Sequence, residues 1–221
     1  MLEKIRILST KRLLPGQRQF LLNAGFALVE ADFIKIENNN FKIEGNPSSL
    51  IFTSQNAVRS FLESQDSKNL KDKKIYCVGS KTKAMLEQNG FKVAVSKEYA
   101  SELASAIAND HYDETFLFFS GNLRKDVLPE ALKKAGVSFE EVEAYKTVLA
   151  PQKINSALNG ILFFSPSGVE SYLKENKIKE EQCFCIGATT AEALRQITEN
   201  RIIAKHQTVE NVIIQAIKYY R

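Results

Sequence analysis

Small hydroxyl and amide side chains gather at a few places in this chain, each directly after an apolar run too short for a helix. Ile161-Leu162-Phe163-Phe164 meets Ser165-Pro166-Ser167-Gly168, and Val169, Tyr172 and Leu173 then follow at i, i+3 and i+4. That order reads as a buried strand, a tight turn and an amphipathic helix. Ser167, with Glu170 three residues on, fits a capping box in which each side chain satisfies an amide of the first helical turn. Free amides, the helix dipole and small hydroxyls favour a carboxylate or phosphate by up to about 2 kcal/mol in a sheltered site. The chemistry on offer is anion binding by neutral donors, and one such turn alone serves helix capping equally well.

The chain writes this stretch twice. Leu50-Ile51-Phe52-Thr53-Ser54-Gln55-Asn56-Ala57-Val58-Arg59-Ser60-Phe61-Leu62 matches Ile161 to Leu173 position for position, with Ser54 on Ser165, 111 residues away. The opening unit recurs at the same distance. A strand at Ile5–Leu8, a polar Ser9-Thr10-Lys11-Arg12 turn, a helix through Gln19–Ala24 and Gly25 reappear as Phe116–Phe119, Ser120-Gly121-Asn122, Asp126–Lys134 and Gly136. Ile75–Leu86 pairs with Cys183–Leu194 as strand, glycine, hydroxyls and helix, and Thr189 with Glu192 offers a second capping box. Tyr99–Ala108, after a short strand at Lys92–Val95, and Thr208–Tyr219 read as the last helices of each half. A duplicated unit is the simplest explanation.

Composition narrows the chemistry by exclusion. The 221 residues are 44% hydrophobic and 25% charged, ordinary for a globular protein, and a net charge of +4 is too small and too scattered to announce nucleic acid. No apolar run approaches the roughly 18 residues of a membrane span, and the start reads as neither a secretory signal nor a transit peptide. Cys77, Cys183 and Cys185 lie in strand-like runs and read as buried thiols of a reducing compartment. The two histidines, His111 and His206, sit in unrelated polar contexts, so no metal site is expected. Carboxylate pairs, nucleophilic triads, phosphate-loop lysines and dinucleotide glycine fingerprints are missing. Beside the turns, only Arg124 and Lys125 are read as bringing charge.

Strands alternating with helices imply parallel sheets covered on both faces, with ligands at the carboxyl edge. The order is A, B, A, B. Either each A folds with the B after it, or the inner B and A form one domain while the outer A and B close around it. The second layout makes the extended stretches at 28–37 and 141–149 cross between domains as a two-stranded connector. In either layout, turns from both halves are able to face one cleft.

Phe52-Thr53-Ser54-Gln55-Asn56-Ala57-Val58, Val78-Gly79-Ser80-Lys81-Thr82, Ser120-Gly121-Asn122-Leu123-Arg124, Val142 to Thr147, Phe163 to Gly168 and Ile186-Gly187-Ala188-Thr189-Thr190-Ala191 together resemble the uroporphyrinogen-III synthase family, over essentially the whole chain and in the family's order. Ala188 departs from it, since the family often has proline there. The resemblance implies two flavodoxin-like α/β lobes: a discontinuous one at 1–36 plus 148–221 and an inserted one at 42–143, joined by the crossover strands 28–37 and 141–149. It implies a cofactor-free reaction on hydroxymethylbilane, a linear tetrapyrrole with eight carboxylates. Water is lost from the ring A hydroxymethyl group, and ring D is attacked at its substituted carbon to give a spiro intermediate. Re-closure leaves ring D inverted in uroporphyrinogen III, an intermediate of haem biosynthesis. Tyr145 occupies the family's tyrosine and is expected to assist departure of the hydroxyl. Thr53, Ser54, Asn56, Ser80, Thr82, Ser101, Ser120, Gly121, Asn122, Arg124, Ser165, Ser167, Gly168, Thr189 and Thr190 are expected to bind the substrate. A cytoplasmic monomer, with no nucleic acid or membrane partner and no metal, completes the expectation. The competing reading is a non-catalytic two-lobed sensor of an anionic small molecule.

Overall fold

A computed structural model describes residues 4–43 and 45–221. The chain begins with β1 (Arg6–Ser9), α1 (Pro15–Asn23), β2 (Ala27–Glu30) and β3 (Ile34–Asn38). It continues through β4 (Ser49–Phe52), α2 (Gln55–Glu63), a 3-10 segment at Gln65–Leu70, β5 (Lys74–Val78), α3 (Ser80–Gln88), β6 (Val93–Lys97) and α4 (Ala100–Asp110). Then come β7 (Thr115–Gly121), α5 (Val127–Lys134), β8 (Ser138–Leu149), β9 (Gly160–Phe163), α6 (Pro166–Glu175), β10 (Gln182–Cys185), α7 (Ala188–Glu192), β11 (Arg201–Ile203) and α8 (Val209–Tyr220).

Two compact units result. The segment up to Lys35 with Val148–Arg221 forms unit 1, and Ile36–Thr147 forms unit 2. Unit 1 holds a parallel sheet in the order β11-β10-β9-β1-β2. The other sheet runs β3-β8-β7-β4-β5-β6, parallel from β8 to β6. Counted from the first strand of each A element, both orders are 2-1-3-4-5. That is the flavodoxin-like arrangement, whose switch point lies between its first and third strands. The switch points here are therefore β1 against β9 and β7 against β4.

The apolar runs are continuous because both sheet faces are buried. In unit 2, Leu50, Phe52, Leu117 and Phe119 face α2 through Val58 and Phe61, while Ile51, Phe116 and Phe118 face α4 and α5 through Leu103, Ile107, Leu128 and Leu132. The rings of Phe52 and Phe119 stack 4.9 Å apart across neighbouring strands. Unit 1 repeats the scheme, with Leu8, Ile161 and Phe163 facing α6 and Ile7, Leu162 and Phe184 facing α1 and α8.

β3 and β8 carry the chain over the boundary between units and are neighbours in the sheet. Ala150 N donates to Phe33 O at 2.9 Å and Asn39 N to Ala144 O at 2.9 Å. Residue numbers rise on one strand as they fall on the other, so the pair is antiparallel. The extended stretch expected at 28–37 is not one continuous strand. It breaks at Ala31–Phe33, where the Phe33 ring enters the core 5.5 Å from Tyr172. β11 is a further strand that the sequence reading leaves unassigned.

Neither expected capping box forms. α6 starts at Pro166, whose fixed φ and missing N–H suit the first helical position. The cap is therefore Ser165, whose Oγ accepts from Gly168 N at 3.0 Å, and Ser167 lies inside the first turn. α7 starts at Ala188 behind Gly187 with no side-chain cap, so Thr189 is also inside its helix.

Candidate active site at the unit 2 switch point

The turn after β4 places Ser54 as the N-cap of α2, where its extended backbone lets Oγ accept from Ala57 N at 3.1 Å. The same hydroxyl donates to the phenol oxygen of Tyr145 at 3.1 Å. Because Ser54 gives its hydrogen to that oxygen, the phenol's own proton is left for another acceptor. Tyr145 comes from β8, and its orientation follows from a register shift: Ser120 of β7 faces Glu143, but the next residue, Gly121, faces Tyr145. Ala144 is thus an extra residue in β8, and a bulge of this kind re-aims the side chain beside it. The Tyr145 ring then lies directly on Gly121, where a Cβ would stand 2.4 Å from ring carbon Cζ. Asn122 N donates to Tyr145 O at 3.3 Å, and the Asn122 side chain brackets Thr147, accepting from its N at 2.8 Å and donating to its O at 3.3 Å.

The charged residue of the next turn is committed to the protein. Arg124 forks onto Glu141, with Nη2 donating to Oε2 at 2.9 Å and Nε to Oε1, and Nη1 reaches Asp126. Ser120, itself buried, donates to Glu141 Oε1 at 2.7 Å. Burial pushes the Glu141 carboxyl up, but the hydrogen bonds from Arg124 and Ser120 outweigh it and hold the group below the usual carboxylate range. Bonds from Glu141 and Asp126 push the Arg124 guanidinium further up. Arg124 and Glu141 form a brace between the turn after β7 and the strand that carries Tyr145. A free cation for substrate is not what this geometry offers.

The remaining expected residues divide between the two units. In unit 2, Thr53 precedes Ser54 in the β4–α2 turn and Asn56 stands in the first turn of α2, where its Oδ1 accepts from Arg59 at 2.8 Å. Ser80 is exposed at the first position of α3, Thr82 is buried two residues on in the same turn, and Ser101 is exposed in the first turn of α4. Gly79 caps α3 at φ 89°, a left-handed value that favours glycine.

At the unit 1 switch point, Ser165 Oγ lies 3.0 Å from Ser167 Oγ, and a Cβ on Gly168 would stand 3.3 Å from Ser165 Oγ and 3.8 Å from Thr10 Oγ1. Thr189 is exposed and Thr190 buried in α7. Counted 111 residues back, Tyr145 falls on Ile34 and Gly121 on Thr10, so the phenol and its glycine support exist in one copy only. Three residues escaped the sequence reading. Lys11, exposed beside the unit 1 turn with Nζ 5.8 Å from the centre of the Phe164 ring, was visible as part of a polar turn. Glu141 has no counterpart carboxylate in the duplication, since it pairs with Phe118 as Leu28 pairs with Ile7, whereas Ser60 recurs as Ser171.

Among the described residues no three His, Cys, Asp or Glu side chains come together as metal ligands. Burial pushes the Cys183 and Cys185 thiols up to about 12. A cavity of about 950 Å³ in unit 1 opens at the amino ends of β9 and β10, the edge opposite the turns. Two polar groups on its wall bond within the protein: Tyr220 donates to Asn159 O at 2.6 Å and Asn176 to Gln152 O at 2.7 Å.

Two duplicated 2-1-3-4-5 sheets, with hydroxyl-rich switch points and one phenol packed on glycine at the unit 2 switch point, define a two-unit α/β protein of flavodoxin-like topology. The chain belongs to the uroporphyrinogen-III synthase family, whose sequence model, described as uroporphyrinogen-III synthase HemD, matches residues 18–214. A uroporphyrinogen-III synthase of Chlorobaculum parvum is 26% identical over 174 residues, covering 67% of this chain and 69% of that protein. The porphyrin biosynthesis protein HemD of Ruminiclostridium josui is 26% identical over 183 residues, 74% of this chain but 36% of that protein. The fold is shared with the uroporphyrinogen-III synthetase of Helicobacter pylori, at a TM-score of 0.75 and 20% identity over 98% of this chain and 100% of that one. A mutant synthase of Thermus thermophilus aligns with a TM-score of 0.63 and 13% identity over 97% and 98%.

Proposed function

We propose that this chain cyclises hydroxymethylbilane to uroporphyrinogen III, with Tyr145 as the weak acid that assists departure of the ring A hydroxyl. The observation that carries this reading is the Ser54 hydroxyl, which donates to the Tyr145 oxygen while itself accepting from Ala57 N. A phenol held this way presents its proton outward. The electron-rich pyrroles supply the push that expels the hydroxyl, and the phenol lowers the cost of the departing charge. A contribution of about 10²-fold or more is ordinary for such a contact. Inversion of ring D then depends on holding the flexible chain near-cyclic, a matter of positioning rather than of further acids and bases.

The substrate's carboxylates are assigned to the hydroxyls and amides of the turns: Thr53, Ser54, Asn56, Ser80 and Ser101 in unit 2, and Ser165, Ser167, Gly168 and Thr189 in unit 1. Neutral donors at helix starts suit several carboxylates at once. Thr82, Thr190, Ser120, Gly121, Asn122 and Arg124 act from behind these surfaces, by shape and support. Only unit 2 has the phenol, so the hydroxymethyl end of the substrate is assigned there. We further propose a cytoplasmic monomer that works without nucleic acid or membrane. No helix among the described residues is long and apolar enough to cross a membrane, which supports the last point.

The test is product identification by isomer-resolving chromatography after incubation with hydroxymethylbilane. The type III isomer is expected. Saturable binding with only the type I isomer of spontaneous closure would instead support the sensor reading. Tyr145→Phe is expected to lower turnover tenfold or more with the fold intact, and a wild-type rate in that variant would remove Tyr145 from the chemistry.

A further inference from the structure

The bulge that aims Tyr145 is held from the interior by a residue far along the helix from any turn. Ser60 on α2 is buried, 3% exposed, and its hydroxyl donates to Ala144 O, the carbonyl of the extra residue in β8. That carbonyl also accepts from Asn39 N. α2 therefore fixes the tyrosine at two levels, by Ser54 on the phenol and by Ser60 on the peptide group just before it.

The duplicate provides a comparison within the same molecule. Ser171 occupies the place of Ser60 on α6, Phe33 that of Ala144, and Ala150 that of Asn39, each 111 residues apart. Ala150 N donates to Phe33 O as Asn39 N does to Ala144 O. Yet the Ser171 hydroxyl, fully buried, has no hydrogen-bond partner among the described residues. Where an isoleucine follows the carbonyl, as at Ile34, the serine makes no bond. Where Tyr145 follows, it does.

We infer that Ser60 is a positioning residue for Tyr145: its bond to the bulged Ala144 carbonyl sets the direction of the phenol, and this rests on the role proposed for Tyr145 above. A bulge is a soft element, because the extra residue has no ladder partner of its own. A catalytic group displaced by a fraction of an ångström loses rate without losing substrate affinity.

The test is a double-mutant cycle with steady-state kinetics on hydroxymethylbilane. Ser60→Ala leaves Ala144 O bonded to Asn39 N, so no buried acceptor is orphaned and the fold should persist. It is expected to lower kcat by roughly fivefold, the scale of one hydrogen bond, with KM within about twofold. In the Tyr145→Phe background the same change should lower kcat no further. Ser171→Ala, its counterpart in unit 1, should leave kcat and KM unchanged. A wild-type kcat for Ser60→Ala beside an impaired Tyr145→Phe would overturn the role of Ser60 alone, and so would an equal loss in both backgrounds or a similar loss in Ser171→Ala. A wild-type rate for Tyr145→Phe would overturn the underlying assignment itself. If Ser60→Ala melts below the assay temperature, Ser60→Cys, of nearly the same volume and with a weak donor, takes its place in the cycle, and the same loss of effect in the Tyr145→Phe background is required of it.

Discussion

The ring of Tyr145 rests on the backbone of Gly121, with no room between them for a single methyl group. An added Cβ would stand 2.4, 2.8 and 2.7 Å from Cζ, Cε1 and Cε2, and no real Cβ contact is that short. Gly121→Ala therefore has to move the phenol, since the opposing atoms belong to a rigid ring whose backbone is held by β7 and Asn122. A displacement of about 1 Å is enough to cost up to 10²-fold in rate. The expected result is a fall of at least tenfold in kcat with a smaller change in KM, read by the isomer assay, while circular dichroism stays as in the wild type. Unchanged kcat would mean that the ring has no required position.

Ser54 and Ser165 form a matched pair with different neighbours. Each is an N-cap, accepting from Ala57 N and Gly168 N respectively, so Ala at either should destabilise by about 1 kcal/mol. Only Ser54 also touches a phenol. Thermal melts should then show similar losses for Ser54→Ala and Ser165→Ala, while kcat falls several-fold in the first alone. If both variants lost kcat equally, the contact with Tyr145 would have no separate role.

Arg124 is expected from the sequence to hold the substrate, and in the structure its guanidinium is engaged by two carboxylates. Glu141 and Asp126 occupy its guanidinium, and Glu141 is only 27% exposed in its side chain. Removing Arg124 leaves a half-buried carboxylate short of its main partner, an outcome usually worse than removing both charges. Arg124→Ala is expected to lower the melting temperature, and adding Glu141→Gln should restore part of it. KM should change less than stability does. A large rise in KM at unchanged melting temperature would instead give Arg124 to the substrate.

The duplication, the alternation of strands and helices and the hydroxyl-rich turns were legible because they are local: apolar runs of four, hydroxyls after them, glycines 111 residues apart. Ser54 and Ser165 announced themselves by type and spacing. What escaped depends on register. The shift at Ser120/Gly121 that turns Tyr145 onto its glycine has no sequence signature, because the residues concerned lie on separate strands. The helix starts at Pro166 and Ala188 were misread for a related reason, since several hydroxyls in each turn fit a capping pattern and backbone geometry chooses among them. The pairing of Arg124 with Glu141 is not legible either, because the two are distant in sequence.

Away from the site, Glu114 links stability to pH. It lies between α4 and β7, with its side chain 12% exposed, and receives Lys74 Nζ at 2.7 Å, Tyr76 OH at 3.1 and 3.2 Å, and the Ser49 hydroxyl, with His111 Nδ1 at 3.3 Å. Burial pushes its carboxyl up, but bonds from Lys74, Ser49 and Tyr76 prevail and hold it below the ordinary 4.5. A lowered folded pKa means that the unfolded chain takes up the proton first as pH falls. The stabilisation is thus complete above about pH 4.5 and is lost as pH drops through the lower, folded value. Glu114→Gln should destabilise by about 2 kcal/mol at pH 7, the scale of hydrogen bonds to a charged group. Melting curves of the two proteins should converge as pH is lowered from 4.5, and a gap that stayed constant across that range would show that the charge on Glu114 contributes nothing.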